Sequence, residues 1–183
     1  MVHIGSAMDS AQSLDLARLN VLLVDDDVHV IKIVRTLLRG FGVKQLAEAH
    51  DAADAFETLN HTKFDVIIVD FLMKPLDGLD FIRLVRTAKD STNPSVPIIM
   101  LTAFADERRV REARDAGVNA FLCKPVTPSD LYQRLLSVIQ QPRPFIRTET
   151  YVGPCRRRRD EPNFNGPERR KKKTEDDTPS TPS

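Results

Sequence analysis

A doubly wound α/β fold with a five-stranded parallel sheet is predicted for residues 20–141 by three observations. Short runs that are apolar throughout recur along the chain: "VLLV" (21–24), "VIIV" (66–69), "PIIML" (97–101) and "AFLC" (120–123). Segments of helical period separate them. Each run is followed at once by polar, chemically capable residues, at the place where open α/β sheets put their sites.

The runs are too short for helices, rich in branched side chains and without an alternating polar face, so they read as strands buried on both sides. After the first, Ile31, Val34, Leu38 and Phe41 recur at helical spacing, and Gly40 and Gly42 mark that helix's end. A weaker strand, "VKQLAEA", fits 43–49, and Asp51 then stands where an N-cap belongs. Phe81, Leu84 and Val85 carry a helix after the "VIIV" strand, and Asp106 marks the start of one after "PIIML". Leu131, Leu135, Val138 and Ile139 carry the last, with Ser129 at its N-cap position. Strand–helix repeats with right-handed crossovers make this a (βα)5 domain of the flavodoxin-like kind.

The flanks differ from this body. A chain of 183 residues, 41% hydrophobic and 29% charged, suits one ordinary core with appendages. Residues 1–19 hold only scattered leucines and read as a flexible extension. After Gln141, "QPRPF" breaks the last helix, and with almost no aliphatic residue beyond Val152 the segment 142–183 reads as a largely disordered tail. It is basic: 11 Lys/Arg against 7 Asp/Glu, while residues 1–141 hold 16 against 19. Charge segregated in this way suggests an anionic partner for the tail. No basic, then apolar, leader opens the chain, and no apolar stretch approaches the ~20 residues of a membrane span, so a cytoplasmic location is expected. Cys123 and Cys155 are expected as free thiols, and His3, His29, His50 and His61 lack metal-ligand spacing.

The residues that follow the strands form a set. Asp25, Asp26 and Asp27 follow the first, Asp70 the third, Thr102 and Ala103 the fourth, Lys124 and Pro125 the fifth. Taken singly, an Asp after a strand is often a helix cap and a Lys-Pro step often a turn. Their joint appearance at one end of four strands is far more specific. Clustered carboxylates repel one another unless a cation neutralises them, and hard oxygen ligands around an open site favour Mg²⁺.

The spacing of "VLLVDDD", "DVIIVDFLMKPLDG", "PIIMLTA" and "AFLCKP" resembles the receiver domain of bacterial two-component response regulators, most closely the CheY-like single-domain type, over about residues 20–141. The resemblance implies that Asp70 is the phosphoacceptor, that Asp26 binds Mg²⁺ directly and Asp25 through water, and that the Leu72 carbonyl completes the protein's share of the coordination. It implies that Thr102 offers its hydroxyl to a phosphoryl oxygen, that Lys124 screens charge, that Phe121 turns inward as a switch, and that the Lys124–Pro125 bond is cis. A sensor histidine kinase or phosphotransfer protein is the implied donor, and the product is a signalling module rather than an enzyme. Two departures stand out. Pro75 lies five positions after Asp70 rather than the family's four. Leu72 and Phe104, which flank the route of attacking water in this family, are both apolar, so slow self-dephosphorylation is expected.

The tail carries a repeat. "YVGPCRR" (151–157) and "FNGPERR" (164–170) both place an aromatic and Gly-Pro at equal offsets before Arg-Arg. The aromatic offers a stacking surface, Gly-Pro a stiffened turn, and arginine a planar fork for phosphate or the edge of guanine. These suit a small, doubly charged, guanine-bearing ligand or a stretch of nucleic acid. The tail resembles the arginine-rich extension of a subset of CheY-like proteins that bind cyclic di-GMP. By that likeness Tyr151, Arg156, Arg157, Arg158, Arg159, Asp160, Arg169 and Arg170 are candidate ligand residues, with Asp160 accepting from guanine, and docking to a partner such as the flagellar motor would follow. A plain phosphotransfer receiver with an inert basic tail is the alternative. A nucleic-acid-binding regulator using "RRKKK" is weaker, because no reading domain accompanies it.

Overall fold

The computed structural model describes residues 15–103 and 106–156. Five strand–helix repeats run in order: β1 (Asn20–Val24), α1 (Val28–Gly40), β2 (Gln45–Ala49), α2 (Ala52–His61), β3 (Val66–Asp70), α3 (Gly78–Thr87), β4 (Ile98–Thr102), α4 (Glu107–Ala116), β5 (Ala120–Cys123) and α5 (Pro128–Gln140). The sheet order is β2-β1-β3-β4-β5 and every pairing is parallel, as the sequence predicts. Residues alternate faces along each strand. Leu22 and Val24 meet α2, α3 and α4 on one side, while Val21 and Leu23 meet α1 and α5 on the other.

The helices follow their apolar stripes. Ile31, Val34 and Leu38 of α1 are buried, each contributing about 1.5–3 kcal/mol. In α3 the buried stripe is Leu79, Phe81, Ile82 and Val85. Leu84, expected in that stripe, is exposed, because at 100° per residue it falls well to one side of the line through Phe81, Ile82 and Val85. Asp51 and Asp106 cap α2 and α4 as expected. The cap of α5 is Thr127, not Ser129: its hydroxyl accepts from the Asp130 N–H at 3.2 Å and donates to the Asp130 carboxylate at 2.7 Å. Pro128 fills the first helical position, where no N–H is needed.

Both flanking expectations need adjustment at their inner edges. Residues 15–19 join the body through a 3-10 turn at Leu16–Arg18 that buries Leu16 and Leu19 against the α1 and α5 side of the core. One turn of three residues is too short for periodicity to reveal. At the other end, β6 (Phe145–Arg147) and β7 (Val152–Pro154) form an antiparallel hairpin against α3 and α4. The hairpin contributes little apolar surface of its own. It is held instead by polar groups of the body, described below.

Candidate functional site

Parallel register brings the carboxyl ends of β1, β3, β4 and β5 to one edge of the sheet, and with them Asp25, Asp70, Thr102 and Lys124. Asp25 and Asp70 are buried, Asp26 is exposed, and carboxylate oxygens of the three lie within 4.8 Å of one another. Lys124 Nζ reaches across to both buried groups, 2.9 Å from Asp25 Oδ2 and 2.8 Å from Asp70 Oδ1. Backbone donors complete the cradle: the Asp27 N–H donates to Asp25 Oδ1 at 2.9 Å and the Leu72 N–H to Asp70 Oδ2 at 3.2 Å.

The electrostatics follow from burial. Desolvation raises the Asp25 pKa above the ordinary carboxylate value, and the nearby Asp70 adds to this, against the pull of the Asp27 N–H and Lys124. Burial alone would lower the Lys124 pKa, but hydrogen bonds to Asp70 and Asp25 outweigh it and hold the ammonium above its ordinary value. One ammonium faces three carboxylates. That excess of negative charge, presented by hard oxygens, fits a small divalent cation such as Mg²⁺ held by Asp25, Asp26 and Asp70.

The remaining sequence candidates are distributed as follows. Asp27 serves as the N-cap of α1, its carboxylate accepting from the His29 N–H at 2.8 Å. Thr102 is buried as the last residue of β4. Phe121 in β5 is half-buried against the α2, α3 and α4 side of the core. The Leu72 side chain is 52% exposed at the pocket's rim. Lys124–Pro125 is cis, and so is Lys74–Pro75, in the loop whose proline spacing departs from the family's. Phe104 lies outside the described residues.

The loop after Asp70 is fixed by a close approach that sequence reading did not weigh. The Gly78 N–H donates to the Phe71 carbonyl at 3.0 Å, and a Cβ at position 78 would fall 2.0 Å from the Asp70 carbonyl oxygen. Only glycine lets α3 start this close to the candidate phosphoacceptor.

A second constellation, at the opposite end of the sheet, centres on Arg86 of α3, 1% exposed. Its guanidinium donates twice to the Gly117 carbonyl (3.1 and 2.9 Å), to the carbonyls of Pro94 (2.7 Å) and Val96 (2.8 Å), and to Asn119 Oδ1 (3.0 Å). The Phe145 ring of the hairpin lies 5.6 Å from it. Burial pushes the Arg86 pKa down to about 10, so the group stays cationic at neutral pH. Arg143 adds donors to the carbonyls of Asn119, Val118 and Cys155. Gly117 takes φ +100°, and a Cβ on Gly153 would lie 2.8 Å from the Gly117 Cα, so the hairpin seats glycine on glycine.

This seat places two of the tail candidates. Tyr151 precedes β7, its hydroxyl donating to the Pro154 carbonyl at 2.7 Å, and the Arg156 guanidinium lies 4.0 Å from its ring centroid. Gly153-Pro154, expected as a stiffened turn, is instead part of β7, because Gly153 is needed flat against Gly117. Arg157, Arg158, Arg159, Asp160, Arg169 and Arg170 lie outside the described residues.

A parallel α/β sheet with three carboxylates and a lysine at its carboxyl edge is the architecture of a phosphorylation-type signalling receiver. The chain belongs to the response regulator receiver domain family, whose profile matches residues 21–136. It is 32% identical over 123 residues to the chemotaxis protein CheY of Pseudomonas aeruginosa, covering 67% of this chain and 98% of that protein. The same identity and share of this chain hold for chemotaxis protein CheY-3 of Vibrio cholerae, with 93% of that protein covered. Among solved structures, Vibrio cholerae CheY4 aligns with TM-score 0.60 and 30% identity over 66% of this chain and 98% of its own. The receiver domain of a sensor histidine kinase from Pseudomonas aeruginosa, solved with a magnesium ion coordinated in its active site cleft, aligns with TM-score 0.58 and 29% identity, covering 66% and 96%. No helix among the described residues is long and apolar enough to cross a membrane.

Proposed function

We propose that this receiver accepts a phosphoryl group on Asp70 from a sensor histidine kinase or phosphotransfer protein, with Mg²⁺ held by Asp25, Asp26, Asp70 and the Leu72 carbonyl. The observation that carries the reading is the Lys124 ammonium bridging Asp25 and Asp70. It holds the Asp70 carboxylate in one orientation and offers positive charge where phosphoryl oxygens arrive. The Asp70 oxygen forms the new O–P bond as the donor's P–N bond breaks, the electron pair leaving with the donor imidazole. Thr102 stands one strand away to meet a phosphoryl oxygen, with Phe121 on the next. Bound Mg²⁺ supplies further screening of the charge that gathers on those oxygens. The acyl phosphate then biases the surface around α4, β5 and α5.

Full-length protein incubated with a small phosphodonor and Mg²⁺ should gain one phosphoryl group by intact mass, and Asp70→Asn should gain none. Labelling that persists in Asp70→Asn would remove Asp70 from the role.

A second reading concerns the tail. We infer that it binds cyclic di-GMP and promotes docking to a partner, plausibly at the flagellar motor given the chemotaxis relatives. The Arg156 guanidinium 4.0 Å from the Tyr151 ring centroid supports it: a cation lying over an aromatic ring offers a surface onto which a guanine can add and N–H donors that suit phosphate. Calorimetric titration with cyclic di-GMP, GTP and a short duplex over a salt series tests this. Selective uptake of the cyclic dinucleotide supports the reading. No heat leaves a plain phosphotransfer receiver, and duplex binding that falls steeply with salt favours a nucleic-acid partner.

A further inference from the structure

The Arg156 guanidinium is already engaged by the receiver body. Its Nη1 lies 3.4 Å from Asp115 Oδ1, and Arg114 Nε stands 3.9 Å from the same oxygen. Asp115 is in the last turn of α4, which ends at Ala116. A carboxylate there opposes the helix dipole, whereas Arg114 beside it suits the position. Two guanidinium groups from two elements thus converge on one oxygen of a carboxylate that its own helix does not favour. The hairpin joins them mechanically, because Gly153 seats on Gly117, the residue that ends α4.

We propose, resting on the cyclic di-GMP reading above, that Asp115 is an internal competitor of the ligand's phosphodiester. It occupies the Arg156 N–H fork until phosphate oxygens take the guanidinium, and loses that contact when they do, while the contact with the Tyr151 ring does not depend on it. Carboxylate and phosphodiester are alternative acceptors for the same N–H fork. Both partners are well exposed, with side chains 42% and 47% accessible, so the pair is weak and readily displaced. The ligand class that fits is an anionic phosphodiester bearing a planar base, the base adding to the Tyr151–Arg156 stack. Because the competitor belongs to α4, ligand occupancy and the position of that helix are linked, and the linkage acts in both directions.

Titrating cyclic di-GMP into the full-length chain by calorimetry tests the proposal. Asp115→Asn should bind about two- to fivefold more tightly than wild type, the fold-change that removal of one exposed ion pair allows. Arg114→Gln should bind more weakly, since Asp115 is then left to Arg156 alone. Asp115→Asn removes a charge from the wrong end of a helix and should melt no lower than wild type. Unchanged or weaker binding by Asp115→Asn overturns the competitor role while leaving the cyclic di-GMP reading intact. Absence of binding by wild type overturns both.

Discussion

Replacing Arg86 by methionine keeps an unbranched stem as far as the Nε position and removes the planar fork. The guanidinium makes five hydrogen bonds, and its loss falls unequally on their acceptors. Asn119 Oδ1 keeps the Ile98 N–H at 3.0 Å. Pro94 O is only partly buried and can turn to water. Val96 O and Gly117 O are left in buried surroundings without this donor, at about 1–3 kcal/mol each. Recovered desolvation of the cation offsets part of that sum, so a net loss of about 3–4 kcal/mol is expected, close to the cost of breaking a buried polar network elsewhere. For a domain of this size that lowers the melting temperature by roughly 8–15 °C.

Urea unfolding followed by circular dichroism measures the loss, and trypsin cleavage at Arg147, between the two hairpin strands, reports whether the hairpin has lifted. Arg86→Lys separates charge from geometry: one ammonium cannot span Pro94, Val96 and Gly117 together, so about half the loss should remain. Wild-type stability in Arg86→Lys, or a loss below about 1 kcal/mol in Arg86→Met, would refute the argument. The pH dependence has a defined sign. Burial lowers the Arg86 pKa from its ordinary value to about 10, so the unfolded chain holds this proton more tightly. The burial cost is therefore present at every pH below about 10 and is relieved only above it. Between pH 7 and 9 the wild-type-minus-methionine difference should stay flat.

Two further outcomes concern the carboxyl edge. Gly78→Ala places a Cβ 2.0 Å from the Asp70 carbonyl oxygen, and since the obstacle is backbone the loop itself must move. A loss of about 2–4 kcal/mol in urea unfolding, with slower phosphorylation from a small donor, is expected. Leu72→Asn replaces an apolar side chain at the rim with one that can orient water, and should shorten the phosphoprotein's half-life about tenfold, equivalent to 1.4 kcal/mol of barrier. Radiolabel decay measures it, and an unchanged half-life would show that Leu72 does not obstruct the water.

The pocket was legible because its residues are tied to the strongest signal in the sequence. Asp25, Asp70, Thr102 and Lys124 each end or directly follow an apolar run, and parallel register then leaves them no choice of edge. The seat of the hairpin was not legible for the opposite reason. Arg86 bonds mostly to main-chain carbonyls, which every residue possesses, so nothing in the letters at 94, 96 or 117 marks a partner. Leu16 and Leu19 were lost among scattered leucines because a single 3-10 turn has no repeat to detect. Gly153 misled for a related reason: glycine before proline suggests a bend, whereas here the missing side chain serves a flat contact.

The two ends of the domain are joined by one poorly anchored element. The N-cap of α4, Asp106, stands four residues beyond Thr102, and the helix ends on Gly117 under the hairpin. Along that length it buries only Ala113 and Ala116, against Ile31, Val34 and Leu38 in α1 and Leu131, Leu135 and Val138 in α5. Alanine burial holds a helix far less firmly than leucine or isoleucine burial, since stabilisation scales with apolar area removed from water. Its outer face is ordered instead by exposed pairs, Arg108–Glu112 and Arg111–Glu107, each worth at most about 1 kcal/mol, while the half-buried Arg109 pairs with Asp106 and lies 5.4 Å over the Phe71 ring. On the proposed readings, a phosphoryl group drawing Thr102 at one end, or a ligand drawing Arg156 from Asp115 at the other, would act on the helix with the least apolar anchorage of the five. Coupling between tail and pocket, if measured, would on that imbalance run through α4 rather than through the sheet.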